Sequence, residues 1–238
     1  MKLIGFFGYS EKIDLVCSYA KVLQTLGKTV LVIDATSENK YKYAIESLEN
    51  IENSYLIQYD NVDYAIGFDS MNDVENYLCD NKINISLYDY IIIDLDNVKQ
   101  YEFFANRDFE KKYFIFDTSM ISLKKNKEIV NIMQVYSQGQ ITENKIKKIL
   151  YRGYVTRAYE KYFNNEINSL DANFDEEYIE IMEEEQDKML FLDSLLCGYM
   201  NLKKHSRGFI VSLLDLIREV EDQYDIYALR RIIKKGGI

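Results

Sequence analysis

Three charged side chains of this sequence follow runs of apolar residues. Lys12 lies in a polar turn, residues 8–14, directly after the apolar segment 2–7. Asp34 and Asp94 each close another apolar run. In α/β proteins, residues at the carboxyl ends of parallel strands face the crevice that receives ligands. A lysine and two carboxylates at such an edge could bind a charged ligand.

The elements that would position these side chains form a recognisable unit. Segment 2–8 is short and apolar and ends in glycine, which is typical of a strand buried on both faces. Apolar residues recur at helical spacing over 15–26, and Gly27 lies where a glycine ends a helix. Val30 to Ile33 is a second buried strand. The order strand, turn, helix, strand predicts a βαβ unit.

This stretch resembles the ParA/MinD family of P-loop ATPases, whose first strand leads into the loop Lys-Gly-Gly-x-Gly-Lys-Thr-Thr. Gly8 matches the first loop glycine, and Lys12 falls on the phosphate-binding lysine. Segment 88–94, Tyr-Asp-Tyr-Ile-Ile-Ile-Asp, resembles the family's Walker B-type strand. An active member would use Lys12 for phosphate, Asp34 and Asp94 for metal and water, and ATP with Mg²⁺ as cofactor.

The rest of the loop departs from the family pattern. Phe7 replaces the signature lysine, Tyr9 and Glu11 replace glycines, and Ile13 replaces the hydroxyl residue that holds magnesium. Glu11 would place a negative charge beside polyphosphate, and Ile13 has no oxygen for Mg²⁺. We therefore expect a vestigial nucleotide loop with no assigned catalytic residue or metal ligand, made of Gly8, Tyr9, Ser10, Glu11, Lys12 and Ile13. The alternative is an ordinary βα turn that never bound phosphate.

The rest of the chain alternates predicted strands and helices. This order predicts an α/β fold, with a mostly parallel twisted sheet flanked by helices on both faces in a Rossmann-like, P-loop NTPase-like three-layer arrangement. One domain over 1–225 and a tail over 226–238 are expected. Further strands are predicted at 55–59, 62–67, 88–94, 113–116, 132–136 and 167–170. Helices are predicted at 69–80 with Ser70 as cap, at 119–132, from Thr142 onward, within the acidic stretch 171–187 and through 209–220; residues 41–53 are a short helix or an insertion loop.

Composition excludes several classes of protein. The formal net charge of −10 argues against broad nucleic-acid binding. Apolar runs are too short for a transmembrane helix, and no signal peptide is recognised, so a cytoplasmic protein is expected. Cys17, Cys79 and Cys197 are scattered and are interpreted as reduced, mostly buried thiols. The single histidine, His205, is interpreted as a surface or helix-end residue.

The tail reverses the charge of the chain. Its aliphatic residues share a helical stripe beside a basic cluster, and it resembles the membrane-targeting tail of MinD-like proteins. The alternative is the docked end of the last helix, with Gly236 as its stop. The candidate membrane or partner residues are Ile226, Leu229, Arg230, Arg231, Ile232, Ile233, Lys234 and Lys235.

Three functions are compatible with these features. The first is a non-hydrolysing scaffold or positioning factor for a cell-envelope assembly such as a pilus or secretion machine, by analogy with TadZ/CpaE-type proteins. It would have protein partners, form a homodimer and contact the inner face of the membrane peripherally. The second is an active ATPase for DNA partition or septum positioning. The third is a structural subunit whose loop face, with Phe6, Phe7 and Tyr9, has become an interface.

Overall fold

The computed structural model describes residues 1–45, 55–104, 107–137, 145–152, 155–170, 172–182 and 184–236. Within them, eight strands form one sheet in the order β3-β4-β2-β5-β1-β6-β7-β8. Every neighbouring pair is parallel except β3 and β4, which are antiparallel. The strands are β1 Lys2–Phe7, β2 Val30–Ala35, β3 Leu56–Tyr59, β4 Val62–Ala65, β5 Tyr90–Leu95, β6 Lys111–Phe116, β7 Ile146–Arg152 and β8 Phe174–Met182.

Helices cover both faces of the sheet, which confirms the predicted three-layer α/β fold. One core lies under α1 and α8 and includes the buried residues of α9, and the other lies under α3 to α6. No helix among the described residues is long and apolar enough to span a membrane. The helices are α1 Ile13–Thr25, α2 Lys40–Ala44, α3 Met71–Asp80, α4 Val98–Phe104, α5 Met120–Ser137, α6 Arg157–Asn168, α7 Glu185–Cys197, α8 Arg207–Arg218 and α9 Ile226–Gly236.

The first half of the chain follows the sequence prediction closely. The βαβ unit is present. Gly27 follows the end of α1 and has a positive φ of 81°. Segments 55–59 and 62–67 contain the predicted strand pair, β3 and β4. Ser70 caps α3 through its hydroxyl, which accepts the Asp73 N–H at 3.2 Å. These predictions are confirmed. The sequence could predict these features because each depends on local spacing and turn chemistry.

In the second half of the chain, the structure contradicts three predictions of secondary structure. Residues 132–136 belong to α5, and 167–170 form the end of α6 and the residues after it, so neither is a strand. The helix predicted over Ile146, Ile149 and Leu150 is strand β7. Ile146 and Leu150 pack in one core and Ile149 in the other, so the apparent helical stripe is divided between two faces.

The acidic stretch was also assigned to the wrong element. It forms the edge strand β8, and only the residues from Glu185 onward are helical. Acidic side chains of β8 such as Glu176 and Glu177 are exposed, and charge on an edge strand opposes pairing with another sheet. The predictions for residues 46–53, Thr142, Asp171 and Glu183 lie outside the described residues.

Candidate functional site

Strand register brings the two predicted aspartates together. Asp34 on β2 is paired in register with Asp94 on β5, and Asp94 is paired in register with Phe6 on β1. Side chains alternate along β5, with Ile92 in the core under α1 and Ile93 in the opposite core. Asp94 is two residues after Ile92 and so shares the α1 face. Lys12 immediately precedes α1, which places it opposite Asp94.

Lys12 and Asp94 form a buried ion pair. Lys12 Nζ lies 2.7 Å from Asp94 Oδ1 and also donates to the carbonyl of Gly8 at 2.7 Å. Both side chains are 1% exposed. The second carboxylate oxygen of Asp94 accepts the Tyr41 hydroxyl at 2.8 Å. The lysine that the resemblance assigns to phosphate therefore has a carboxylate and a loop carbonyl as its partners.

Asp34 organises the segment that follows β2. Its Oδ1 accepts the N–H of Thr36 at 3.0 Å and the Thr36 hydroxyl at 2.5 Å. Its Oδ2 accepts the N–H of Tyr41 at 3.0 Å. Asp34 thus holds the start of α2, which carries the tyrosine that binds Asp94. In this structure Asp34 has a turn-forming role.

A second lysine, Lys40, contacts both the loop after β1 and the residues after β5. Its Nζ lies 3.0 Å from Asp96 Oδ2 and 3.5 Å from Glu11 Oε2. The same ammonium lies 6.0 Å from the ring centre of Tyr9. Asp96 is fixed in turn by the Ser37 N–H at 2.8 Å. Lys40 therefore connects the loop residues Tyr9 and Glu11 to the end of β5.

The four carboxylates and two lysines of this cluster differ in their electrostatics. Burial raises the pKa of the Asp34 carboxyl to about 6, against the opposing effect of the Thr36 hydrogen bonds. Burial also raises the pKa of Asp94, although Lys12 acts to lower it. At Asp96 burial favours a higher pKa, but Lys12 and Lys40 outweigh it and the pKa is lowered. Burial alone would lower the pKa of Lys40, yet Asp96 and Glu11 raise it.

The loop itself is held against β6 and α5. Gly8 has a φ of +118°, and a Cβ there would lie 2.5 Å from the Ile115 carbonyl, so only glycine fits. The Tyr9 N–H donates to Asn126 Oδ1 at 2.7 Å, and Asn126 Nδ2 donates to the Ile115 carbonyl at 3.1 Å. The Ser10 hydroxyl donates to the same carbonyl at 3.1 Å.

Sequence reasoning did not place Lys40, Tyr41, Asp96 or Asn126 in this cluster. Lys40, Tyr41 and Asn126 lie far from the loop in sequence, and no motif marks them. Asn126 carries a weak signal, since it is a fully buried asparagine inside the amphipathic helix α5. Such a residue needs hydrogen-bond partners, but the sequence does not identify them.

The residues present do not fit a magnesium–triphosphate group. The Lys12 ammonium is enclosed and paired with Asp94, and the Tyr9 N–H is taken by Asn126. Ile13 offers no oxygen ligand. The cluster holds four carboxylates against two lysines, so added polyphosphate would increase the repulsion. Among the described residues, no group of three or more His, Cys, Asp or Glu side chains is placed to hold a metal ion.

The other predicted site residues lie elsewhere. Phe6 and Phe7 are core residues, so of the three loop aromatics only Tyr9 reaches the surface, at 38% exposure. In the tail, Leu229 and Ile233 are buried in the core with α1 and α8. Ile226 and Ile232 are partly buried, Arg231 and Lys234 are exposed, and Arg230 is partly buried. The side chain of Lys235 lies outside the described residues.

The cysteine and histidine predictions need correction. Cys17 is buried, but Cys79 and Cys197 are exposed, so the thiols are not mostly buried. Burial raises the pKa of the Cys17 thiol, which disfavours the reactive thiolate. His205 is buried rather than on the surface, although it does precede the start of α8. Its Nδ1 lies 3.1 Å from Asp187 Oδ1.

Comparison with solved structures places this architecture among MinD- and ParA-type ATPases. The MinC:MinD cell division protein complex of Aquifex aeolicus matches with a TM-score of 0.59 and 18% identity, covering 91% of this chain and 96% of that one. A putative plasmid partition protein of Borrelia burgdorferi B31 bound to AMPPNP matches with a TM-score of 0.56 and 13% identity, covering 94% and 99%. A variant McdA–ATP complex from Cyanothece matches with a TM-score of 0.53 and 12% identity, covering 93% and 96%.

No protein-family model matches the chain, and no curated protein sequence matches it. The matches to solved structures show that the chain shares the fold of ParA/MinD-type P-loop ATPases, as the loop and the Walker B-like strand predicted. Identities this low establish the fold alone.

Proposed function

We propose that this chain is a non-hydrolysing, ParA/MinD-like protein that works by docking to protein partners, as a scaffold or positioning factor for a cell-envelope assembly such as a pilus or secretion machine. The observation that carries the proposal is the closed loop. Lys12 is 1% exposed and paired with Asp94. Lys40 contacts both Glu11 in the loop and Asp96 after β5. ATP would have to break both lysine contacts before it could bind.

Breaking the ion pair between Lys12 and Asp94 would cost free energy. Separating a buried ion pair without replacing its partner costs about 3–5 kcal/mol. The phosphate of a nucleotide would replace Asp94 as the partner of Lys12. The Asp94 carboxylate would then stay buried with only the Tyr41 hydroxyl as its partner. The same step would place phosphate beside Glu11. Both effects favour the closed loop over a nucleotide complex.

The surface beside the loop supports docking to a protein. A largely apolar cavity of about 730 Å³ extends from the loop to α7. Tyr43, Leu192 and Leu196 line it and are 78%, 59% and 76% exposed. Large exposed apolar side chains grouped around one cavity mark interaction sites.

Charge at the cavity defines the partner's chemistry. Among the described residues that line it, Glu11 and Asp14 are acidic and Lys188 is basic, and Glu11 is also in contact with Lys40. We therefore propose a protein segment with aliphatic side chains flanked by lysine or arginine. Rim charges of opposite sign would favour association and register. This segment, and not a nucleotide, is the ligand that the loop edge suits.

Calorimetry with ATP and MgCl₂ at millimolar concentration, together with phosphate-release assays, tests the nucleotide half of the proposal. We expect no binding heat and no hydrolysis above buffer from the wild type or from Lys12→Met/Asp94→Asn, which removes the loop lysine without leaving Asp94 as an unpaired buried charge. Hydrolysis that this double variant abolishes would refute the proposal and support the active ATPase. A nucleotide-binding protein of known affinity serves as the positive control for both assays.

Site-specific photocrosslinking in the native cell tests the docking half. A crosslinker at Tyr43 should capture one protein of the envelope assembly, and Leu192→Ser/Leu196→Ser should abolish the product. The matched control is Leu87→Ser/Ile121→Ser, which also replaces two exposed aliphatic residues but lies away from the cavity. Equal capture by both double variants would contradict docking at this cavity.

A further inference from the structure

A second cavity lies between α8, α9 and the short 3₁₀ turn Leu202–Lys204. Its volume is about 320 Å³. Leu202 and Ile233 supply apolar walls, and both are buried. The cavity is therefore supported by packed residues of three separate elements.

Four cationic side chains line this cavity. Lys203 comes from the 3₁₀ turn, Arg207 from the first turn of α8, and Arg230 and Lys234 from successive turns of α9. The chain as a whole has a net charge of −10, so this concentration of positive charge runs against its composition. Like charges brought together repel one another, and a bound anion relieves that repulsion.

Local carboxylates do not neutralise three of these cations. Within the part of the chain that the structure describes, Arg207, Arg230 and Lys234 have no ion-pair partner. Asp187 contacts the residues beside the cavity, since its Oδ1 accepts the Ser206 N–H at 2.7 Å and lies 3.1 Å from His205 Nδ1. Asp187 is thus engaged in holding the start of α8, which leaves the arginines available to a ligand.

Two further features favour a phosphate group. The N-terminus of α8 adds partial positive charge, and the N–H groups of Arg207 and Gly208 have no partner among the described residues. His205 also lines the cavity, and with Nδ1 facing Asp187 its Nε2 is the ring nitrogen left for a ligand. Arginine pairs with phosphate through two parallel N–H donors, which lysine cannot do.

We propose that this cavity binds a small phosphate-bearing anion, with Arg207 and Arg230 as its principal ligands and Lys203 and Lys234 as supporting charges. The volume is near the lower end for ligand cavities, which suits a phosphate on a small substituent. Free phosphate and a lipid headgroup share this chemistry. Since Leu229 and Ile233 are already packed in the core, the phosphate is recognised by the basic side chains and not by insertion of the apolar face of α9.

Inorganic phosphate and lipid vesicles are the two probes of the test. Calorimetry measures phosphate binding against potassium chloride of equal ionic strength, which removes general screening. Flotation measures binding to vesicles of phosphatidylglycerol and phosphatidylcholine, against phosphatidylcholine alone. Saturable binding of either probe is expected, and which of the two binds identifies free phosphate or the headgroup as the source.

Charge-neutralising variants locate the site. Arg207→Gln/Arg230→Gln should weaken binding at least tenfold, and Lys203→Gln/Lys234→Gln provides a second variant if the first does not fold. The control is Arg157→Gln/Lys161→Gln, which removes two exposed positive charges from α6 and should bind as the wild type does. Failure of both probes to bind, or an equal loss in the control, would overturn the proposal. Neither result bears on nucleotide binding at the loop.

Discussion

Replacement of Lys12 by methionine should destabilise the fold far more than loss of an exposed lysine. The Lys12 and Asp94 side chains are each 1% exposed, with their charged atoms 2.7 Å apart. Without Lys12, the Asp94 carboxylate keeps only the Tyr41 hydroxyl, and it remains beside Asp34 and Asp96. Removing one member of a buried ion pair costs about 3–5 kcal/mol, so we expect the free energy of unfolding to fall by about 4 kcal/mol.

A double-mutant cycle separates the ion pair from general packing effects. Asp94→Asn removes the stranded charge and keeps the side-chain volume, so Lys12→Met/Asp94→Asn should recover most of the loss. We expect the double variant to lie within about 1–2 kcal/mol of the wild type, so that Asp94→Asn recovers about 2–3 kcal/mol of the Lys12→Met loss; the Asp94→Asn single variant completes the cycle and gives the coupling energy. Urea unfolding followed by circular dichroism at neutral pH provides the free energies.

The control uses the same substitution at the surface. Lys125 pairs with Glu128 on α5, and the two side chains are 49% and 57% exposed. Lys125→Met should therefore change the free energy of unfolding by no more than about 0.5 kcal/mol. If Lys12→Met costs no more than Lys125→Met, or if the cycle shows no coupling, Lys12 and Asp94 do not form the buried ion pair that closes the loop.

Two further predictions concern the same edge of the sheet. Because burial raises the pKa of Asp34 to about 6, the protonated carboxyl stabilises the fold below about pH 4, and this stability is lost as pH rises to about 6. Urea titrations should show the wild type losing about 3 kcal/mol relative to Asp34→Asn over that range, and parallel pH profiles would contradict this. Gly8→Ala should cost about 3 kcal/mol or more, since its Cβ would meet the Ile115 carbonyl at 2.5 Å. Gly27→Ala, also at positive φ but with nothing within 4 Å, should cost about 1 kcal/mol, and equal thermal shifts for the two variants would refute the steric argument.

Errors in the sequence interpretation share a physical cause. Strand β7 contains Ile146, Ile149 and Leu150, whose spacing fits a helix as well as a strand covered on both faces. Only the helices packed on each side show which core each residue enters. The acidic strand β8 was mistaken for a helix because its side chains are mostly exposed, and an exposed edge strand lacks the apolar pattern of a central one.

The tail illustrates the same limit. Its stripe of aliphatic residues predicts an amphipathic helix, and α9 is present. Amphipathicity does not specify what the apolar face meets. In the structure Leu229 and Ile233 meet the core under α1 and α8, as the docked alternative predicted, while membrane contact through this tail stays a prediction.

The sequence by itself determined the βαβ start, the buried strand before Asp94 and a loop without the magnesium-binding hydroxyl residue and two of the glycines of the ParA/MinD pattern, because these depend on residue types at short spacing. Tertiary structure decided which partners the charged side chains of the loop have. Strand register placed Asp94 against Lys12, and the turn after β2 brought Lys40 and Tyr41 over the loop from about thirty residues away. Such pairings depend on how separate elements pack, and no spacing along a single chain segment encodes them.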